Sequence, residues 1–492
     1  MDLKELINLL TIKETEGNTN IPITGIQMDS RRIEKGNIFI CVPGIEGFLA
    51  DRHDFIEEAV SAGAVAIVVE KEMNNYPGVT KIRVKDARFA MAVMSAHFYN
   101  YPSRQLKLYG ITGTNGKTTT SYILDTIFSN HKLNMGLMGN NGVKIKDKLY
   151  PVQINTHEPP ALQKNLREMT DQEVDCCVME VSSQGLDMGR VIGCHFKMGI
   201  FTNLTQDHLD YHKDFESYKE AKGLLFSRLG ENSSNKNKSY AVLNADDPAS
   251  VYFKKITSAE VITYGIEHPA DVSARNISVG SGGISFTAET FRGEIDIHLK
   301  LIGLFNIYNT LAAIAAALLE DVPLESIRDS LTQIESVQGR MELVDAGQPF
   351  SVLVDYAHTP DALENVLRTL KEIAEGRIIT VFGCGGDRDS DKRPKMGSIA
   401  GAFSDYVVVT SDNPRTEEPS KILTQIAEGI NNSKYQCIVD RKAAIEMAIK
   451  MARPKDIVLI AGKGHETYQI IGDQTIHFGD KEAAAAILKT LS

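Results

Sequence analysis

Short apolar runs alternate along the chain with segments in which apolar residues recur every three or four positions. Between Ile26 and Lys85 the runs Ile38 to Val42, Ala64 to Val69 and Lys81 to Val84 predict strands, and the pattern of Phe55 to Ala62 predicts a helix. A second helix is expected from Ala87 to Tyr99. Tyr101-Pro102-Ser103 then interrupts the pattern, because proline removes a donor and restricts the residue before it, and places a boundary near residue 104.

Leu106 to Ile111 predicts a strand, the glycine-rich stretch after it a turn, and Thr118 to Asn130 a helix. Further strands are expected at Cys176 to Val181, Met198 to Thr202, Tyr240 to Leu243 and Val261 to Tyr264. From Val272 to Leu301 the pattern changes to alternating runs, which predicts an antiparallel annex, and the alanine-rich stretch Ile307 to Leu319 predicts a helix. From about Gly339 the strand-helix rhythm resumes, with strands expected at Ser351 to Val354, Ile378 to Phe382, Tyr406 to Thr410 and Ile457 to Ala461. The reading is an α/β chain of three domains: a small N-terminal one (1–104), a central one with a P-loop-type mononucleotide-binding sheet (105–338), and a Rossmann-like doubly wound one (339–492).

Composition narrows the class. The chain has 492 residues, 42% hydrophobic and 24% charged, which fits globular domains and excludes disorder as the dominant state. With 53 basic and 64 acidic residues the formal charge is −11, so general nucleic-acid binding by phosphate neutralisation is not expected. The six cysteines form no C-x-x-C pair, and a reducing cytoplasm is the expected compartment. Neither a signal peptide nor a membrane span is expected, the longest apolar run being Leu311 to Leu319.

Gly113-Thr114-Asn115-Gly116-Lys117-Thr118-Thr119 sits between a predicted strand and a predicted helix. There, backbone N–H groups and the helix amino end can face an anion while Lys117 reaches outer phosphates and the Thr118 hydroxyl meets Mg²⁺. Only Thr114 and Asn115 separate Gly113 from Gly116, against four residues in the usual Walker pattern, so this is a variant. No Asn-Lys-x-Asp motif accompanies it, which weakens a GTPase reading. Glu180 and His208 end two other apolar runs and would reach the same sheet edge, as ligands of a hard cation or as hydrogen-bonded structural residues.

With Glu180-Val181-Ser182-Ser183, Asn203 to Tyr211 (NLTQDHLDY), Ala221-Lys222, Gly303-x-Phe305-Asn306-x-x-Asn309, Gly339-Arg340, Asp355-Tyr356-Ala357-His358 and Gly462-Lys463-Gly464-His465-Glu466, the chain resembles the Mur ligases of peptidoglycan synthesis. The resemblance runs from about Ser30 to Glu466. It implies an ATP- and Mg²⁺-dependent ligase that phosphorylates a carboxylate and lets an amine displace the phosphate. Within the family it points to addition of the third amino acid to UDP-N-acetylmuramoyl-L-alanyl-D-glutamate. By the same resemblance Lys117, Glu180, His208 and Lys222 are catalytic, with Thr118, Glu180, His208 and a carbamylated Lys222 serving the metal. Asn306, Asn309, Arg340 and Asp355 would meet the nucleotide beside the 113–119 loop. Ser30 matches a uridine-side contact, and Asn155, Thr156, Ser182 and Arg190 fall where the muramoyl dipeptide is held. Asp412-Asn413-Pro414-Arg415 matches the motif of members that use meso-diaminopimelate, with Arg388 placed to pair with a carboxylate and Gly462 and Glu466 to face the far ammonium. A monomer is expected.

Two stretches depart from the family pattern. Asn155-Thr156-His157-Glu158-Pro159 has asparagine before its threonine and histidine where proline is usual, and Pro43 to His53 (PGIEGFLADRH) is longer than usual. Both lie on the acceptor side. They keep open a related ligase for another amino acid, such as L-lysine, or another acceptor; a nucleotide-binding scaffold without turnover is the third reading.

Overall fold

The computed structural model describes residues 1–46, 48–150, 152, 154–230, 238–280, 283–431 and 434–491. Three sheets follow one another along the chain. The first runs in the order Lys13–Glu16, Thr80–Val84, Ala66–Val69, Asn37–Ile40, Gly25–Gln27, parallel except at its Lys13–Glu16 edge. Asp86 caps helix Ala87–Phe98 by accepting from the Phe89 N–H at 2.8 Å, and the buried face of that helix carries Ala90, Met91 and Met94 against the sheet.

The second sheet has eleven strands. Lys107–Thr112 lies in its middle, parallel to Cys176–Glu180 on one side and Phe196–Phe201 on the other. All three are apolar and almost wholly buried, as strands covered on both faces must be. The carboxyl ends of these neighbours therefore deliver residues 113–116, 181–183 and 202–208 to one edge, where open α/β sheets bind ligands. Helices Lys117–Asn130 and Leu304–Leu319 cover one face; Ile123, Ile127 and Phe128 pack there with Leu311, Ile314 and the alanines at 312, 313 and 315 to 317. The expected antiparallel annex consists of Val272–Gly280, Gly283–Thr290 and Gly293–Leu299, and it continues the sheet through parallel pairing of Tyr264 with Val272.

The third sheet runs Glu342–Leu343, Ser351–Asp355, Ile457–Ala461, Ile378–Phe382, Tyr406–Thr410, Lys434–Ile438, parallel except at the first pair. Strands absent from the sequence expectation are mostly edges and hairpins: Lys13–Glu16, Gly25–Gln27, Gly142–Ile145 with Lys148–Tyr150, Glu342–Leu343, Lys434–Ile438, and Tyr468–Ile471 with Gln474–His477. Lys13–Glu16 (KETE) and Lys434–Ile438 (KYQCI) stay largely exposed, so burial imposes no apolar alternation on them. The buried Met135–Gly139 (MGLMG) was also missed, since two glycines and two methionines give little strand signal. No helix among the described residues is long and apolar enough to cross a membrane.

Candidate active site

The loop after Lys107–Thr112 is held by backbone geometry that glycine permits. Gly113 and Gly116 have φ of +150° and +85°, and a Cβ at Gly116 would lie 2.3 Å from Asn309 Oδ1. Asn203 fixes the loop from the neighbouring strand end: its carbonyl accepts from the Thr114 N–H at 2.8 Å and its Oδ1 from the Asn115 N–H at 2.9 Å. Helix Lys117–Asn130 starts directly after Gly116, so its free N–H groups and dipole face the cleft.

Two lysines converge on this loop. Lys117 Nζ donates to the carbonyls of Gly113 and Thr114, both at 2.8 Å, and Lys222 Nζ donates to the Gly113 carbonyl at 2.9 Å. Lys222 is 1% exposed: helix Phe215–Ser227 turns it inward beside the Tyr218 ring, 4.4 Å from its centroid. Burial, and then the charge of Lys117, hold the Lys222 amine well below its ordinary pKa. Burial also lowers Lys117.

Thr118 Oγ1 donates to Glu180 Oε1 at 3.0 Å, and Glu180, fully buried, also accepts from the Asn140 N–H at 3.1 Å. His208 stands at φ +55° after Asp207, and burial drops its imidazole to about 4, leaving a neutral ring. Among the described residues no group of three or more His, Cys, Asp and Glu could hold a metal. A Thr hydroxyl beside a carboxylate is nonetheless a hard-oxygen pair suited to Mg²⁺, which takes few protein ligands and completes its shell with phosphate oxygens and water.

Two adjoining cavities open on the loop. One of about 410 Å³ is walled by Gly113 to Thr118, His208 and Lys222, and reaches Asn155, Ser182 and Arg190 on the acceptor side. The other, about 460 Å³, lies over Thr119 and is lined by Tyr308, Asn309 and Asp246. Asn306 and Asn309 are buried on one face of helix Leu304–Leu319, joined by a 3.0 Å hydrogen bond, and Gly303 occupies the cap position. Arg340 and Asp355 line both cavities from the third sheet's side. Arg340 Nη2 donates to Thr118 Oγ1 at 3.1 Å while its Nε is buried without a partner, an unsatisfied donor of the kind a phosphate satisfies. Asp355 accepts from the Met341 and Ala357 N–H groups, both at 2.7 Å, and so orders the segment that carries Arg340.

Elsewhere the expected residues already have protein partners. Arg190 pairs with Glu158 at 2.8 Å and donates to the Thr156 carbonyl at 3.0 Å; Thr156 Oγ1 in turn accepts from the Ser182 N–H at 2.9 Å. Ser182 caps helix Ser183–Asp187. Ser30 belongs to the first unit, where its hydroxyl donates to Glu58 at 2.8 Å. Arg388 is exposed and donates to the Asp387 carbonyl at 2.9 Å. Arg415, at φ +52°, donates to the Gly386 carbonyl at 2.7 Å, and Pro414 packs on Gly386, where a Cβ would sit 1.9 Å from the proline carbonyl. Gly462 approaches Asp412, and Asn413 Nδ2 donates to Glu466 Oε2 at 3.1 Å.

Glu466 is not a free anion. Lys463, fully buried, lies 3.0 Å from its Oε2, a partner that the i, i+3 spacing inside GKGHE could have suggested. Sequence reasoning named Asn203 only as part of its motif and missed Asp361, Tyr308 and Asp246; these residues brace the loop and the second cavity. Of the two departures, His157 turns its Nδ1 to Asn165 at 3.0 Å, whereas Phe48 reaches the 410 Å³ cavity and meets Tyr211 edge-on, ring centroids 5.1 Å apart.

A phosphate loop at a parallel sheet edge, faced across a cleft by an arginine from a second α/β sheet, defines a nucleotide-dependent enzyme assembled from three α/β units. Comparison with known proteins makes the class specific. The Mur ligase family catalytic domain matches residues 22–99, the Mur ligase middle domain 111–317, and the Mur ligase glutamate ligase domain 339–464. This chain belongs to the Mur ligase family. It is 47% identical over 493 residues to the UDP-N-acetylmuramoyl-L-alanyl-D-glutamate--2,6-diaminopimelate ligase of Bacillus velezensis, covering 100% of both chains. It is 48% identical over 485 residues to the ligase of that name from Bacillus licheniformis, covering 98% of each. A solved structure titled as a UDP-N-acetylmuramoyl-L-alanyl-D-glutamate--2,6-diaminopimelate ligase superposes with a TM-score of 0.69 at 32% identity, covering 100% of this chain and 99% of that one.

Proposed function

We propose that this chain is an ATP-dependent amide ligase that adds meso-2,6-diaminopimelate to UDP-N-acetylmuramoyl-L-alanyl-D-glutamate in the cytoplasm. The observation that carries this reading is end-to-end similarity to ligases named for that reaction. The cleft supplies matching chemistry. The acceptor carboxylate attacks the γ-phosphorus of ATP, ADP leaves, and the acyl phosphate forms. The diaminopimelate amine then attacks the acyl carbon, phosphate leaves, and the amine proton passes to solvent or to a base.

Residues 105–338 serve the nucleotide, 1–104 the uridine side and 339–492 the amino acid. Lys117, the loop N–H groups and Arg340 Nε face the region where phosphoryl charge builds, the contribution that usually dominates phosphoryl transfer. Thr118, Glu180, His208 and a carbamylated Lys222 would hold Mg²⁺, which offsets phosphate charge when bound. Arg190 and Ser182 orient the dipeptide; Arg415 and Arg388 take the carboxylates of diaminopimelate.

Phosphate release by the purified protein, with the dipeptide acceptor and either meso-diaminopimelate or L-lysine, tests the reading. Product mass should equal acceptor plus diaminopimelate minus water. Turnover with lysine but not diaminopimelate would replace the amino acid, and turnover only with a different acceptor would replace the dipeptide.

A further inference from the structure

Asp361 is a carboxylate between the third unit and the phosphate loop with no assigned task. It sits in the first turn of helix Pro360–Ile373, capped by Thr359, and lines the 460 Å³ cavity. Its Oδ2 accepts from Asn115 Nδ2 at 2.7 Å, Thr205 Oγ1 at 3.0 Å and Asn365 Nδ2 at 3.2 Å. The first two donors belong to the central unit, the third to its own helix. All three are neutral.

Asn115 is otherwise committed to the central sheet. Its N–H donates to Asn203, and its carbonyl accepts from Thr202 Oγ1 at 2.6 Å and Asn203 Nδ2 at 3.2 Å. Only its side-chain amide is free to leave that unit, and it goes to Asp361. A further bond from the third unit to this region, Arg340 to Thr118, ends on a hydroxyl that a nucleotide complex would occupy.

We propose that Asp361 is a positioning residue for ligation: through Asn115 and Thr205 it docks the amino-acid-binding unit on the phosphate loop, in register for the amine to meet the acyl phosphate. This rests on the ligase reading above. Misplacement of about 1 Å at a reacting centre can lower rate by about 10²-fold, so a docking bond of this kind acts on the amine step more than on ATP binding.

The test is a double-mutant cycle of Asp361→Ala and Asn115→Ala, with Asp361→Glu as the conservative control. Kinetics for each substrate are measured alongside equilibrium binding of a non-hydrolysable ATP analogue. Asp361→Ala should lower kcat/KM for the amino acid at least about tenfold more than it lowers affinity for the analogue, and the double variant should be no worse than the poorer single. Asp361→Glu should recover part of the loss. Hydrogen exchange at residues 113–116 should quicken in Asp361→Ala, a readout that does not depend on which amino acid is used.

Wild-type kcat/KM in Asp361→Ala, a loss confined to analogue affinity, or multiplicative losses in the double variant would each overturn the proposal. A wild-type protein without diaminopimelate turnover would instead overturn the ligase reading, leaving the docking bond to be judged by exchange alone.

Discussion

Lys117 and Lys222 donate to one backbone oxygen, the Gly113 carbonyl, at 2.8 and 2.9 Å. Burial, and then the neighbouring charge of Lys117, push the Lys222 amine well below its ordinary pKa, toward the uncharged form. A neutral amine can add to CO₂: nitrogen bonds to carbon, a proton leaves nitrogen, and the carbamate anion replaces repulsion with attraction toward Lys117. With ¹³C-bicarbonate the wild type should show one carbamate carbon resonance that Lys222→Ala lacks. Turnover of that variant should fall at least about 10²-fold and return in part with added formate or acetate. An active wild type without the resonance contradicts this.

Lys117→Ala should fold and melt near wild type, because the Gly113 carbonyl keeps its bond from Lys222. Phosphate release should drop at least about 10²-fold, the usual loss when a donor aimed at developing charge is removed. Circular dichroism with a phosphate assay separates the two effects. A folded variant that releases phosphate at the wild-type rate would remove Lys117 from the site.

How much of this was legible in sequence depends on whether the signal is local. Gly113 to Thr119 could be read because the turn, the lysine and the helix start are contiguous, and the central strands because burial on both faces makes them continuously apolar. Lys222 could be placed through resemblance, but its burial could not, since it depends on how helix Phe215–Ser227 rotates against the loop. Asp361 to Asn115 spans 246 positions and Phe48 meets Tyr211 across two units, so no local pattern announces either. Edge strands such as Lys434–Ile438 escaped because exposure frees them from apolar alternation.

The Lys463–Glu466 pair predicts a stability effect at a residue read as recognising substrate. Glu466→Ala leaves the fully buried Lys463 without an anionic partner, with Asn413 Oδ1 at 3.3 Å and the Tyr468 ring beside it, and should lower unfolding free energy by about 3 kcal/mol. Lys463→Met combined with Glu466→Leu should restore most of that, since apolar replacement of a buried pair is often near neutral, without restoring diaminopimelate use. Urea unfolding and steady-state kinetics on both variants check this. Full diaminopimelate use by the double variant would show the pair to be structural only.

On the proposed reading, Arg415 carries the amino-acid discrimination. Its positive φ and its bond to the Gly386 carbonyl fix the guanidinium against the Gly383 to Arg388 turn, so the group is pre-oriented and little rotamer freedom remains to be lost on binding. meso-Diaminopimelate differs from L-lysine by a second carboxylate, which a guanidinium can receive in two-pronged fashion. Lysine leaves that donor set unpaired. Arg415 is only half-buried, so the lower end of the range for such contacts applies, about 2 kcal/mol, or about 30-fold in affinity. Arg415→Ala should therefore raise KM for diaminopimelate about 30-fold, leave KM for ATP within about twofold, and shrink the preference over lysine by the same factor. Arg415→Lys should recover charge but not the two-pronged geometry, and so only part of the preference. Steady-state kinetics with both amino acids decide it: an Arg415→Ala enzyme that kept the wild-type preference would show that the Asp412 to Arg415 motif acts only as a turn.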